Sequence, residues 1–506
     1  MSAVAAVIGV VLASLLTLGV GVFGLRLSRT TSDFYVASRA IGPGLNASAI
    51  SGEYLSAASF LGVASLVLSR GVDMLWYPVG WTAGYLVLLV FVAAPLRRSR
   101  AYTLPDFAEL RVESRRARHV ASGLVVVIAV LYLVPQFQGA GLTLGALTGS
   151  PSWVGGVLVA LVVLVIVVSG GMRSITLVQA VQYWLKLTAL LVPLAVVLVH
   201  THGGADATTV RLHDQAWAVP LQRPHALYLT YSLVVATFLG TMGLPHVVVR
   251  FYTNPDGRAA RRTTVRVLAL LGLFYLLPTA YGVLGRLYVP HLAGTPAADS
   301  VVLRLPAEVL GGSTADVVTA VLAAGAFAAF LSTSSGLVVS IAGVVGQDVL
   351  GRWLPPVAAF RAAGAAGALV TLGITALSSG LAVAQAVELA FAVAASTFCP
   401  LLLLGIWWRG LTAAGAVAGL LAGGLLSASA VVATMLGAAP TGWLGAVVAQ
   451  PALCTVPLAF LTMTVVSLMT PGRLPAHLES TMVRLHAPEA VDLDRGGFVP
   501  VAERAG

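Results

Sequence analysis

The chain has 506 residues, of which 58% are hydrophobic and only 9% charged, with a mean hydropathy of +0.94. Soluble domains carry about 25% charged residues, so this composition excludes a soluble globular protein. Its continuous, non-alternating apolar runs argue against a membrane β-barrel. The net charge of +10 comes from one lysine, Lys186, and 28 arginines, most of them in short loops between apolar runs. That placement is a topology signal of a membrane protein, not a nucleic-acid-binding face. The preference for arginine over lysine fits a GC-rich bacterial genome. Cys399 and Cys454 both fall in apolar runs and offer neither a disulfide framework nor metal-ligand spacing.

An all-α polytopic membrane protein is therefore expected. A span needs about 20 mostly apolar residues. On that measure the sequence predicts thirteen spans, at 4–25, 45–69, 74–96, 119–143, 152–170, 175–199, 225–246, 264–288, 314–346, 361–379, 384–408, 412–436 and 444–469. Residues 4–25 lack a basic leader and a small-residue cleavage site, so they read as a retained first span and not as a signal peptide. Placing the N-terminus outside puts 23 arginines in cytoplasmic segments. Only Arg70, Arg211, Arg223, Arg286 and Arg304 remain outside. The positive-inside rule then sets the C-terminus in the cytoplasm of an inner, plasma-membrane protein. Residues 1–40 would hold the first helix and a cytoplasmic loop, and 201–224 an extracellular loop. Residues 411–470 would hold two extra helices, and 471–506 a polar cytoplasmic tail. The loops 200–224 and 289–313 are long enough for short extracellular helices.

The span at 45–69 is a poor greasy helix. Ser48, Ser51, Ser56, Ser59 and Ser65 punctuate it, and Gly52 and Glu53 sit near its middle. A carboxylate at that depth costs several kcal/mol unless paired, protonated or facing a cavity. The pattern predicts a helix that breaks around Gly52, freeing carbonyls for a small hard cation and offering a half-helix N-terminus to an anionic group. The competing reading is close helix packing on small residues. A second polar group, Ser332–Thr333–Ser334–Ser335, lies mid-span. Neighbours in a helix point about 100° apart, so at most two of the four face one site. Those two hydroxyls, with carbonyls from the broken helix, would make an all-oxygen Na+ site. Alternatively, they bond to their own helix backbone.

Lys186 lies mid-span above Gln179 and Gln182 and needs a partner. Glu388 could supply it, although snorkelling outward is the stronger expectation for that residue. Arg250, His246 and Arg258–Arg262 are expected to be solvated charges at a cytoplasmic end, with gate pairing as second choice. Signatures such as HExxH, GxSxG or a P-loop are missing, so an enzyme is not expected. One chain with this many spans suits a secondary transporter better than a channel.

At these residues the sequence resembles the sodium/solute symporter family, and within it the acetate permease and monocarboxylate transporter branch. The likeness rests on SGEYLSAASFLGVASL at 51–66 with the following YPVGW and RRSRAYTLPDFAELR, and on VLYLVPQFQGAG with GGMRSITLVQAVQ. It continues through MGLPHVVVRFYTNPDGRAARRT at 242–263 and AFAVAAS with PLLLLGIWW. The resemblance implies a leucine-transporter type of fold, with two inverted five-helix repeats at 41–200 and 225–410. It implies a Na+ site built from the carbonyls of Ala47, Ile50 and Ala329 and the hydroxyls of Ser332 and Thr333. Substrate contacts would come from Glu53, Tyr54 and Leu55, with Gln136 and Gln138. No organic cofactor is implied. The expected partners are a short monocarboxylate, a coupling Na+ or H+ and the bilayer, and a small membrane partner subunit is left open. Sugar and proline members carry an aspartate where this chain has Gln179, and the acetate branch resembles this chain in having Gln there. Lys186 and Glu388 depart from that branch's pattern.

Overall fold

The computed structural model describes residues 3–25, 40–202, 215–377, 382–489, 491–492 and 497–498. Arg26, Arg29, Arg39, Arg211, Arg495 and Arg504, all used in the orientation argument, lie outside them. The architecture is helical throughout, apart from a two-residue antiparallel pairing of Val491–Asp492 with Gly497–Phe498 in the tail.

Among the described residues, eleven helices are long and apolar enough to cross a membrane, and Ser152–Val168 adds a shorter apolar segment. The count of thirteen is not reached, for local reasons. Only a 3₁₀ turn, Gly71–Leu75, separates Val63–Arg70 from Trp76–Val87, so the expected spans 45–69 and 74–96 run into each other. The helix Pro43–Tyr54 is too short to span, because the chain breaks after it. The expected spans 152–170 and 175–199 both fall in the helical stretch Ser152–His202. The loop at 289–313 carries the expected short helices, including Val301–Leu310, and Gln215–Ala218 is helical in the other.

Two helices are discontinuous. The first, Pro43–Tyr54, ends at Leu55 (φ −75°, ψ 87°), and the chain resumes through a π-helical turn, Ala58–Gly62, into Val63–Arg70. The break thus sits at Leu55–Ser56, three residues beyond the expected Gly52. Gly52 instead serves packing: a Cβ there would lie 2.1 Å from the Gln179 carbonyl oxygen. The second discontinuity was not anticipated. Ala226–Gly243 stops at Leu244 (φ −72°, ψ 116°), and Pro245 starts the short helix Pro245–Val249. Proline fixes its own φ and disfavours the α conformation in the residue before it, so Gly243–Leu244–Pro245 was the available signal.

The two broken helices touch. Tyr54 Oη lies 2.9 Å from Thr241 Oγ1, and Asn46 Nδ2 donates to the Arg250 carbonyl at 3.1 Å. The long helix Gly312–Asp348 and the stretch Ser152–His202 pack against the first of them. At one end of the molecule, Arg118 joins Asp106 (2.9 Å), Glu109 (2.7 Å) and Asp348 (2.7 Å), so several arginines counted as topology charges also tie helices together.

Candidate solute and cation site

The break at Leu55–Ser56 leaves the end of one half-helix and the start of the next without regular partners, and helix ends always leave such groups. At the first end, the carbonyls are covered by Gly312–Asp348. Ser332 Oγ lies 2.8 Å from the Gly52 oxygen and 3.0 Å from its own Ala329 carbonyl, and Thr333 Oγ1 donates to the Glu53 oxygen at 2.6 Å. The two hydroxyls therefore face the broken helix as expected. The carbonyls they meet belong to Gly52 and Glu53, however, and not to Ala47 and Ile50. Both of those lie inside the regular helix Pro43–Tyr54, short of the break.

Lys186 completes this corner. Its Nζ donates to the carbonyls of Gly52 and Leu55 (the latter at 2.7 Å) and to Ser332 Oγ at 2.7 Å. An ammonium has three donors and no acceptor, so these three oxygens saturate it in a position fully closed to solvent. Glu388 is not its partner. That carboxylate does not snorkel either: it is 1% exposed and accepts from Tyr77 Oη, with Arg70 and Arg223 close enough to act on it.

Glu53 is bound by Arg250. The Nε–Oε2 distance is 2.5 Å and both side chains are 1% exposed, so the expectation of a solvated Arg250 is overturned. The remaining guanidinium nitrogens donate to Thr176 Oγ1 at 2.7 Å and to Gln179 Oε1. Gln179 Nε2 in turn donates to the Ser332 carbonyl at 2.8 Å. Gln179 thus bridges Arg250 to the serine-rich helix, a neutral relay where an aspartate would have added a second negative charge. Gly336 gives the carboxylate its room, since a Cβ there would lie 1.7 Å from Glu53 Oε1.

At the other end of the break, Gln136 Oε1 accepts from the Ala57 amide at 3.0 Å. Gln138 is half-buried on the same helix, two residues on. Around this end stands a cage of aromatic rings. Phe391 lies 6.1 Å from Tyr54, 5.8 Å from Trp81 and 5.8 Å from Tyr132, and Tyr54 meets Tyr85 edge-on at 5.1 Å. Several buried polar atoms of this wall have no protein partner: Trp81 Nε1, Tyr85 Oη and both ring nitrogens of His246, whose ring packs 5.2 Å from Tyr132. Such orphaned groups cost about 1–3 kcal/mol each when buried, which points to a polar guest. Sequence reasoning missed Trp81 and Tyr85, which lie in and just after the YPVGW stretch, and expected His246 to be solvated, whereas it is buried.

The sodium:solute symporter family model matches residues 34–423. The chain belongs to this family. It is 33% identical over 475 residues to the uncharacterised symporter YwcA of Bacillus subtilis, covering 88% of this chain and 90% of that one. It is 30% identical over 485 residues to the monocarboxylic acid transporter of Corynebacterium glutamicum, covering 86% and 87%. Among solved structures, a substrate-bound, outward-open Na+-coupled sialic acid symporter aligns with a TM-score of 0.70 at 16% identity, over 91% of this chain and 98% of that one. The L-phenylalanine complex of MhsT aligns with a TM-score of 0.55 at 15% identity, over 85% and 99%. The fold is therefore of the leucine-transporter type, and the protein is a multi-pass, cation-coupled secondary transporter of the plasma membrane and not an enzyme.

Family membership implies sodium coupling. The corner between the broken helix and Ser332 does not fit that ion. Three of the oxygens gathered there, those of Gly52, Leu55 and Ser332, already accept from Lys186.

Proposed function

We propose that the protein imports a short-chain monocarboxylate of the acetate, propionate, pyruvate or lactate class, coupled to Na+ or H+. The observation that carries this reading is the buried charge balance. Lys186 and Arg250 bring two positive charges, Glu53 brings one negative, and both cations act on Glu53. With both bases protonated, Glu53 ionised and His246 neutral, the centre retains one positive charge, which a single carboxylate neutralises. The half-helix beginning at Ser56 adds its positive dipole end, and Tyr85 and Trp81 offer unused donors beside it. The apolar faces of Tyr54, Tyr132 and Phe391 would receive the short tail. In this reading Glu53 acts through Arg250 and does not touch the solute, while Tyr54, Leu55, Gln136 and Gln138 shape the pocket.

An aromatic cage also suits a quaternary ammonium such as choline through cation–π contacts. The retained positive charge opposes it. The corresponding relative's name, monocarboxylic acid transporter, agrees with an anionic solute. The distribution of arginines supports an outside N-terminus and a cytoplasmic C-terminus.

Uptake of labelled acetate, pyruvate and choline into proteoliposomes, with Na+ and H+ gradients imposed separately, tests the proposal. Accumulation of an acid and exclusion of choline is expected. Failure to accumulate any short monocarboxylate would sink it.

A further inference from the structure

We propose that the cation bracing the broken helix is built into the chain: the Lys186 ammonium takes the place a transported sodium would take, and Na+ neither binds this corner nor drives transport. The inference rests on family membership and not on the identity of the solute.

The first argument is geometric. Three of the oxygens gathered where the break faces Gly312–Asp348 are the freed carbonyls of Gly52 and Leu55 and the Ser332 hydroxyl. All three are within hydrogen-bond reach of one nitrogen, Lys186 Nζ. The Ser332 hydroxyl, having a single proton, donates to Gly52 or Ala329 and accepts from Lys186. Three donors thus meet three acceptors, and a second cation here would have to share oxygens that already accept from Lys186.

The second argument is electrostatic. A sodium ion sharing these oxygens would stand within about 4 Å of the ammonium. Two unit charges at that distance, away from bulk water, repel strongly. The nearest carboxylate, Glu53, is already committed to Arg250 at 2.5 Å and cannot compensate the added charge. Sodium and protonated Lys186 therefore exclude each other.

The third argument concerns placement. Lys186 is the only lysine among the chain's 29 basic Lys and Arg residues. It projects from the Ser152–His202 stretch into the seam between the broken helix and the serine-rich helix, at the level of the break. An ion held in that seam joins the two elements only while it is bound. A tethered ammonium joins them without being carried across, so it cannot be the co-transported species.

The test needs no solute, so its failure is separate from failure of the monocarboxylate reading. Thermal unfolding of the purified protein is followed in NaCl, KCl and choline chloride at equal ionic strength. The wild-type protein is expected to melt at the same temperature in all three. Lys186→Ala, which vacates the three oxygens, is expected to gain a sodium-specific rise of roughly 2 °C or more through mass action. A sodium-specific rise in the wild-type protein would overturn the proposal. So would a folded Lys186→Ala and a folded Lys186→Gln that both ignore sodium, since the corner would then not be a cation position at all. Should neither variant fold, uptake by the wild-type protein of whichever acid it carries decides the matter. Undiminished accumulation in sodium-free medium under a proton gradient supports the inference, and loss of accumulation refutes it.

Discussion

Glu53→Gln is the perturbation with the largest consequence. The substitution keeps the shape of the side chain and removes its charge, leaving Arg250 buried with its hydrogen bonds to Thr176 and Gln179 but no counter-ion. Lys186 is close enough to act on Glu53 as well, so the variant holds two buried cations and no anion. Breaking a buried pair by removing one partner costs about 3–5 kcal/mol, whereas removing both can be nearly neutral. With an unfolding entropy of about 2.1 cal/mol/K per residue, the 506-residue chain loses roughly 1 °C of melting temperature per kcal/mol. Glu53→Gln and Arg250→Gln should each melt about 3–5 °C lower, and the double variant should recover at least half of the combined loss. The assay is a double-mutant cycle on detergent-purified protein. A coupling below about 0.5 kcal/mol, the size found for independent sites, would refute the claim that these residues form one charge pair holding the two broken helices together.

Three further outcomes follow from the same geometry. Gly336→Ala drives a methyl group to 1.7 Å from Glu53 Oε1. It should reproduce the Glu53→Gln loss in a melting scan, and a neutral Gly336→Ala would show that the carboxylate is free to move. Gln136→Ala strips the acceptor from the Ala57 amide. It should raise the solute concentration for half-maximal uptake by about tenfold, the equivalent of roughly 1.4 kcal/mol from one lost hydrogen bond, while expression stays normal. Tyr77→Phe removes the donor to the buried Glu388 and should lower the melting temperature by about 1–3 °C; no change would mean that Arg70 and Arg223 hold that carboxylate unaided.

Composition and arginine placement made the helical membrane architecture legible, because a bilayer leaves an apolar chain few alternatives. Polarity along 45–69 located the first broken helix, and the hydroxyl run located its partner, Ser332 and Thr333. Register was harder. A break frees the carbonyls at its own edge, and the sequence around Gly52 does not say whether the chain leaves the helix there or at Leu55. The hydroxyls of Ser332 and Thr333 accordingly meet the carbonyls of Gly52 and Glu53 beside that break. Long-range charge pairing was not legible at all. Arg250 lies 197 residues from Glu53, and nothing local separates it from the many arginines that mark loops. Glu388 looked like a snorkelling residue because its helix position is close to a span end, yet helices carrying Tyr77 and Arg70 pack over it.

Lys186 shows most clearly how a single residue changes the meaning of a conserved-looking constellation. Ser332 and Thr333 facing a broken helix suggest a metal, and the oxygens are indeed gathered as a metal would require. The same oxygens also satisfy an ammonium, and a side-chain nitrogen stays with the chain whatever the salt outside. The two choices differ in what they can transmit. A dissociable ion makes the seam between the helices depend on an external concentration, so its gradient can perform work on the solute. A tethered ion makes the seam permanent unless something else alters its charge. With Glu53 locked to Arg250, the solute carboxylate is the one mobile anion able to neutralise the remaining positive charge. Its arrival and departure then become the event that changes the electrostatics of the core. On this argument the solute itself completes the site, and empty protein holds an uncompensated charge that disfavours closing around nothing.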